Sequence, residues 1–210
     1  IATTIASVRD QTFTDWEQVI VDDQSTDDTL AVIERAASDD DRLRAVAADE
    51  KLGPAGARNR AIREARGELL AFLDADDAWA PEYLERQIAR FDAEQERTGD
   101  VGIVACNANL VGPDGRLPGT YLEQFGDPDG ISLSELLRAN RIFISALVPK
   151  RVVDEVGGFS TETWGSEDHD LWLRILETGR RVVATDEPLV DYRVAEGSVS
   201  SSLGGIARTN

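Results

Sequence analysis

"LLAFLDADDAWAPEYL", residues 69–84, joins a nearly continuous apolar run to three aspartates. A short run of this kind predicts a strand buried on both faces, as in a parallel sheet covered by helices. Asp74, Asp76 and Asp77 follow the run directly, where their like charges repel one another and a fold has no need of them. The stretch therefore predicts an α/β sheet with a functional site at one end of a strand.

Strand and helix patterns alternate around this stretch. Strand patterns cover residues 16–23, 42–48, 67–75 and 101–111, and helical patterns cover 29–38, 54–65 and 81–95. The remainder is less regular and predicts a surface loop at 121–132, a short helix at 133–139, a strand at 142–148, a helix at 167–179 and closing strands at 181–186 and 189–194. The alternation predicts a mostly parallel α/β sheet flanked by helices.

Length, composition and charge restrict the class of protein. The chain has 210 residues, which suits one domain or at most two small ones, and it begins at Ile1 without any Met, as a fragment would. No segment reaches the roughly 18–20 apolar residues of a membrane span, and no signal peptide is recognisable, so we expect a cytoplasmic protein. A net charge of −18 argues against a nucleic-acid partner. The single cysteine, Cys106, is expected to be a buried thiol in a strand.

Two acidic clusters are predicted to meet at one edge of the sheet. Asp22 and Asp23 end one predicted strand, and the aspartates of residues 74–77 end another. Ligands of such sheets bind at the carboxyl ends of the strands. Hard carboxylate oxygens suit Mg²⁺ or Mn²⁺, which is typically shared with substrate phosphates. The simpler alternative for each cluster is a solvated acidic loop or a helix cap.

A third acidic cluster, Glu167 and Asp168, opens the predicted helix 167–179. Acidic residues favour helix N-termini for electrostatic reasons alone, so a structural role is one reading. The functional reading is a general base that accepts the proton of a sugar hydroxyl. Trp164 could stack on an apolar sugar face, whereas Trp172 is expected in the core. The only histidine, His169, is expected to be an ordinary helix-surface residue rather than a metal ligand.

Four ordered segments together resemble family 2 glycosyltransferases, which have the GT-A fold. The segments are "QTFTDWEQVIVDDQSTDDT", "GPAGARNRAI", "GELLAFLDADDAWAPEYLE" and "SEDHDLWLRI", and the resemblance spans roughly Ile5 to Arg193. It implies one GT-A domain over residues 1–210, with a nucleotide-sugar-binding half at 1–100 and an acceptor-binding half at 101–210.

The resemblance also implies roles for residues on the donor side. Asp22 and Asp23 match the acidic pair that contacts the nucleotide base, and Arg58 matches a position near the nucleotide-sugar. Asp74 and Asp76 match the DXD motif, which touches the ribose and holds a divalent cation on the diphosphate. An acidic residue beside the base could accept the N3 proton of uracil or thymine, which favours UDP or dTDP sugars slightly.

On the acceptor side, Asp168 matches the acid of the family's ED motif, the expected catalytic base, with Glu167 as its neighbour. Asp77 is expected as a further metal ligand and Trp164 as an acceptor contact. The implied reaction is a single displacement with inversion, needing Mg²⁺ or Mn²⁺, a nucleotide-diphosphate sugar, and a glycan, lipid-linked or small-molecule acceptor. A lipid-linked acceptor would bring the protein to the inner face of the membrane. The sequence does not specify the oligomeric state.

Two departures from the family keep alternatives open. The family's first strand, which contacts the base, precedes the first helix, and this chain begins inside that helix. Ala195 also stands where many relatives carry a histidine. A degenerate, non-catalytic nucleotide- or partner-binding domain is therefore the main alternative. A two-carboxylate glycosidase would leave the strand-end metal seat unexplained, and a nucleotidylyltransferase would need a Gly-rich phosphate loop, which is not visible here.

Overall fold

The computed structural model describes residues 1–163 and 165–194, which form eight helices and eight strands. The helices α1 to α8, in chain order, are Ala2–Arg9, Thr29–Asp39, Gly53–Glu64, Tyr83–Thr98, Tyr121–Phe125, Leu133–Leu136, Lys150–Glu155 and Glu167–Glu177. The strands β1 to β8 are Gln18–Asp22, Leu43–Ala47, Leu69–Ala71, Ala78–Trp79, Val101–Gly112, Gly115–Thr120, Leu147–Pro149 and Arg181–Arg193. Among these residues, no helix is long and apolar enough to cross a membrane.

The strands form two sheets. β1 and β2 pair in parallel as a small sheet, while the larger sheet has the order β3-β7-β5-β8-β4, with β6 paired to β5 outside this path. Among the described strands of the larger sheet, β5 and β8 are parallel and the other pairs are antiparallel. The first described element is helix α1, in agreement with the expectation that the given sequence begins inside the family's first helix.

The sequence patterns predict the first half of the fold closely. The predicted strands at 16–23, 42–48 and 101–111 correspond to β1, β2 and β5, and the three predicted helices correspond to α2, α3 and α4. Cys106 is a buried free thiol in β5, as predicted. The predicted strand at 67–75 is confirmed only over the three residues of β3, because the chain turns into the acidic loop soon afterwards.

Several expectations for the second half are wrong in detail. The larger sheet contains fewer parallel pairs than predicted. One of its antiparallel pairs, β5 with β6, follows from the short turn that joins them, which permits only antiparallel pairing. The predicted loop at 121–132 begins with helix α5, whose N-terminus carries a capping box of Thr120 and Glu123. The predicted strand at 142–148 is a strand only in its last part, because the Ala146 N–H bonds to the Ile144 carbonyl in a tight turn.

Helices α3 and α8 pack on the same hydrophobic core and so come close together. This core includes Ala55 and Ile62 of α3 as well as Leu171, Trp172 and Ile175 of α8. Trp172 is fully buried, as predicted for a core residue. The polar sides of the two helices are thereby held against one another, near the end of β3.

Candidate active site

The acidic pair at the end of β1 has two different environments. Asp22 is 5% exposed; its Oδ2 accepts the N–H of Ser25, and its Oδ1 is buried without a hydrogen-bond partner among the described residues. Asp23 instead accepts the N–H groups of Leu52 (2.6 Å) and Gly53 (3.0 Å) at the start of α3. Asp23 therefore acts as an anion at a helix N-terminus.

The environment of Asp23 keeps its carboxylate ionised. Partial burial by itself would raise the pKa of Asp23, but the two backbone N–H groups and Lys51 outweigh it, so the pKa lies below its ordinary value. Lys51 also forms an ion pair with this carboxylate, at 3.4 Å. The charge of Asp23 is thus already balanced within the protein.

The three aspartates after β3 point in different directions. Asp76 is exposed and Asp74 is partly exposed, whereas Asp77 is only 2% exposed. The Oδ1 of Asp77 accepts the N–H of Arg193 at 2.7 Å, which ties the acidic loop to the end of β8. Burial, reinforced by Asp74 and Asp76, raises the pKa of Asp77 to about 7. The Oδ2 of Asp77 is buried without a hydrogen-bond partner among the described residues, so this carboxylate is hardly presented to solvent.

Arg58 of α3 joins two of the predicted acidic motifs. Its Nη2 donates to Asp74 at 2.6 Å, and its Nη1 donates to Glu167 at 2.8 Å. Burial opposes the charge of Arg58, but the two carboxylates outweigh this effect and raise its pKa above the ordinary value. The acidic loop after β3 and the start of α8 are therefore held together by one guanidinium group.

Asp168 lies beside Glu167 in the first turn of α8 and is half-buried. Its Oδ1 accepts the His169 N–H at 2.7 Å, and its Oδ2 accepts the side-chain amide of Asn140 at 3.3 Å. Burial raises the pKa of Asp168 above the ordinary range, Glu167 reinforces the rise, and the His169 N–H, Arg58 and Asn140 oppose it. A raised pKa strengthens a carboxylate as a proton acceptor.

The residues present fit a divalent cation only in part. Mg²⁺ is commonly held by one or two carboxylates together with substrate phosphates, and the accessible carboxylates of Asp74 and Asp76 suit that arrangement. Within the described ranges, however, no three acidic, histidine or cysteine side chains are grouped closely enough to form a metal site by themselves. These carboxylates could therefore bind a cation that substrate oxygens also coordinate.

Two cavities lie in different parts of the molecule. A small cavity of about 40 Å³ lies between the start of α3 (52–55), residues 160–163 and Glu167, beside the acidic groups. A larger one, about 490 Å³, is lined by parts of α2 and β2 and by Glu64. The larger cavity does not include any predicted site residue. The candidate site is therefore the group of acidic residues beside the smaller cavity.

Most predicted site residues converge, and one lies outside the described part of the chain. Helix α3 connects Asp23 at its first turn with Asp74 and Glu167 through Arg58. Trp164 is not among the described residues, and neither is Ala195. The sequence did not indicate Asn140, the side chain bonded to Asp168, because a single asparagine in a predicted irregular segment carries no spacing signal.

The mixed α/β architecture, with acidic groups gathered where strands end, agrees with the glycosyltransferase fold that the sequence predicts. The chain belongs to Glycosyl transferase family 2, whose sequence pattern matches residues 1–131. The predicted family and fold class are thereby confirmed.

Similar proteins come from bacterial polysaccharide synthesis. TuaG of Bacillus subtilis, whose name places it in teichuronic acid biosynthesis, is 30% identical over 96% of this chain and 77% of its own. WfaP of Escherichia coli, named UDP-Glc:alpha-D-GlcNAc-diphosphoundecaprenol beta-1,3-glucosyltransferase, is 32% identical over 96% of this chain and 75% of its own.

Solved structures of the same fold contain nucleotides. TarS of S. aureus in complex with UDP-GlcNAc matches with a TM-score of 0.74 at 23% identity. The mannosyltransferase PcManGT of Pyrobaculum calidifontis, in complex with GDP-Man and Mn²⁺, matches with a TM-score of 0.71 at 20% identity. The match to TarS includes 95% of this chain but only 56% of the solved TarS chain. The match to PcManGT includes 96% of this chain and 55% of the solved PcManGT chain.

Proposed function

We propose that the protein transfers a sugar, with inversion, from a nucleotide-diphosphate sugar to an acceptor hydroxyl. The observation that carries this proposal is the double ion pair of Arg58, which brings Asp74 of the acidic loop next to Glu167 and hence to Asp168. A seat for the leaving diphosphate and a general base are then adjacent. Residues 1–100 would bind the donor and residues 101–210 the acceptor.

For the donor, we assign the cation to Asp74 and Asp76 and the base contact to Asp22. A bound Mg²⁺ or Mn²⁺ would neutralise charge on the departing nucleoside diphosphate. The buried Oδ1 of Asp22 lacks a partner among the described residues and could accept the N3–H of uracil or thymine, whereas both oxygens of Asp23 are engaged by α3. This difference supports UDP or dTDP as the carrier.

In the proposed step, the acceptor hydroxyl gives its proton to the carboxylate of Asp168 as its oxygen bonds to the anomeric carbon. The bond from that carbon to the diphosphate oxygen breaks at the same time, and the nucleoside diphosphate leaves with the electron pair. The displacement takes place in one step, so no covalent intermediate with the enzyme forms. Arg58 keeps Glu167 and Asp74 in position during this exchange.

For the acceptor, we favour a lipid-linked glycan. Leu137 is 62% exposed, and it is one of only two large apolar side chains exposed in the described ranges. It is followed by Arg138 and Arg141, whose charges help to lower the pKa of nearby Glu135. The same segment reaches Asp168 through Asn140. An apolar group beside two guanidinium groups suits a diphosphate attached to a hydrocarbon chain, and such an acceptor would draw the protein to the inner face of the membrane.

Calorimetry with a panel of nucleoside diphosphates, with and without Mn²⁺, tests the donor side. We expect binding that requires the cation and that Asp76→Asn abolishes. Asp114→Asn removes an exposed aspartate in the turn between β5 and β6 and serves as the matched control. Tight binding without a cation, equal in the native protein and in Asp76→Asn, would contradict the metal assignment.

Sugar transfer from the donor so identified tests the base. Asp168→Asn should abolish transfer and retain nucleotide binding, whereas Glu177→Gln, an exposed change at the other end of α8, should retain both. A native protein that binds nucleotide but transfers no sugar, neither to water nor to glycan or lipid-linked acceptors, would favour the non-catalytic binding domain.

A further inference from the structure

Asn140 lies between α6 and β7 and is held at both ends of its side-chain amide. Its Oδ1 accepts the N–H of Ile142 at 3.0 Å, and its Nδ2 donates to the Oδ2 of Asp168 at 3.3 Å. Because the backbone N–H of Ile142 can only donate, the amide oxygen must face it. The amide nitrogen is therefore directed at Asp168, and the opposite orientation of the amide would lose both bonds.

Two other side chains of α8 bind the same segment independently of Asn140. The Nε2 of His169 contacts the Leu136 carbonyl at 2.8 Å, and the indole Nε1 of Trp172 donates to the Ile142 carbonyl at 3.0 Å. The segment 136–142 is thus anchored on both sides of Asn140. The segment therefore has two attachments to α8 besides the bond from Asn140, and the Ile142 N–H fixes the amide so that its nitrogen faces Asp168.

We propose that Asn140 is a positioning residue that fixes the carboxylate of Asp168 for proton transfer. This inference rests on the proposed role of Asp168 as the general base. The His169 N–H holds Oδ1 and Asn140 holds Oδ2, so the plane of the carboxylate is defined by two donors. Each oxygen keeps a further lone pair for the acceptor proton.

The amide also offsets part of the effect of burial. The charged groups that face Asp168 are Glu167 on its own helix and Arg58 from α3, and the titratable groups near it include His169 and Tyr121 of α5. Burial and Glu167 favour the protonated carboxyl, while Arg58, the His169 N–H and Asn140 favour the carboxylate. Removing the one neutral side-chain donor should therefore make Asp168 harder to ionise.

The test is a ¹³C NMR titration of the side-chain carboxyls, with the Asp168 signal assigned by its absence in Asp168→Asn. We expect Asn140→Ala to raise the pKa of Asp168 by about half a unit to one unit. Asn140→Asp replaces the donor by a second carboxylate of the same shape and should raise it further. The acid limb of kcat/KM against pH should move by the same amount as the NMR value.

The matched control is Asn109→Ala. Asn109 also donates its Nδ2 to an aspartate, Asp191, at 2.9 Å, but this pair links the adjacent strands β5 and β8 of the larger sheet. It should leave both the pKa of Asp168 and the pH profile unchanged. If Asn140→Ala folds with the native thermal midpoint and shows an unchanged Asp168 pKa and acid limb, the proposal is overturned.

The titration also separates this inference from the proposed function. It needs neither donor nor acceptor, so a shifted Asp168 pKa in a protein without transferase activity would refute the base and leave the Asn140 contact established. Full activity in Asn140→Ala at every pH, together with an active native enzyme, would refute the positioning role alone.

Discussion

Replacing Asp77 with Asn should change how the stability of the protein depends on pH. Asp77 is 2% exposed, with one oxygen bonded to the Arg193 N–H and the other without a partner among the described residues. Burial raises the pKa of Asp77 from 3.8 to about 7 in the folded protein. The folded state therefore holds the proton more tightly than the unfolded chain, and stability falls as the pH rises between these values.

The magnitude follows from the two pKa values. Their separation corresponds to about 4 kcal/mol of unfolding free energy, present in full below pH 3.8 and lost once the pH has passed through 7. Between about pH 4.5 and about pH 8, the part lost is about 3 kcal/mol. An asparagine does not ionise and so does not contribute to this decline, although its amide can still accept the Arg193 N–H through the Oδ1 position.

The assay is urea unfolding of the native protein and of Asp77→Asn at several pH values, in EDTA so that no cation binds the neighbouring aspartates. The gap in unfolding free energy between the two proteins should widen by about 3 kcal/mol toward high pH. Any constant effect of the new amide group cancels in this comparison. Asp114→Asn controls for the loss of one charge, and parallel pH dependences for all three proteins would refute the buried, high-pKa assignment.

Three further changes test other parts of the site. Arg58→Gln leaves two carboxylates unpaired and should lower the free energy of unfolding, measured in urea, by about 2–4 kcal/mol. The control is Arg60→Gln, which removes an exposed ion pair on the same helix and should change the free energy of unfolding by less than about 1 kcal/mol. Asp23→Ala removes the anion at the start of α3 and should lower the thermal midpoint by an amount equivalent to about 1 kcal/mol. Gly158→Ala should be clearly more destabilising than Gly157→Ala in the same assay. Both glycines have positive φ, but only at Gly158 would a Cβ lie 2.6 Å from a side-chain oxygen, that of Asn59. Equal effects of the two substitutions would contradict this close packing.

Sequence patterns predicted the fold where the chain repeats strand and helix, and failed where short local contacts decide. Apolar runs located β1, β2 and β5 because buried strands and amphipathic helices have distinct periods. The run at 142–148 is just as apolar, but its first residues form a buried turn, which periodicity does not distinguish from a strand. Helix α5 was readable from its capping box of Thr120 and Glu123, a signal that the apolar pattern of the segment hides.

For the candidate site, residue type and position after a strand predicted which carboxylates gather but not how each is used. Asp74, Asp76 and Asp77 have the same side chain and nearly the same place in the chain. Their roles differ because one pairs with Arg58, one is exposed and one is buried against β8. Such differences depend on contacts between residues far apart in sequence, and a single sequence does not contain those contacts.

The arrangement of charges gives a physical reason for a divalent cation in the proposed reaction. A protein with a net charge of −18 repels a nucleoside diphosphate, so the site must provide local positive potential. The two features of α3 that could do so are already used: Asp23 occupies its N-terminus, and both ends of the Arg58 guanidinium are bonded to carboxylates. The protein alone therefore presents a site in which carboxylates outnumber basic side chains, with two of them, Asp74 and Asp76, accessible. A divalent ion bound there would restore the positive charge that the diphosphate needs, and donor affinity should depend on that ion more strongly than on any single basic side chain.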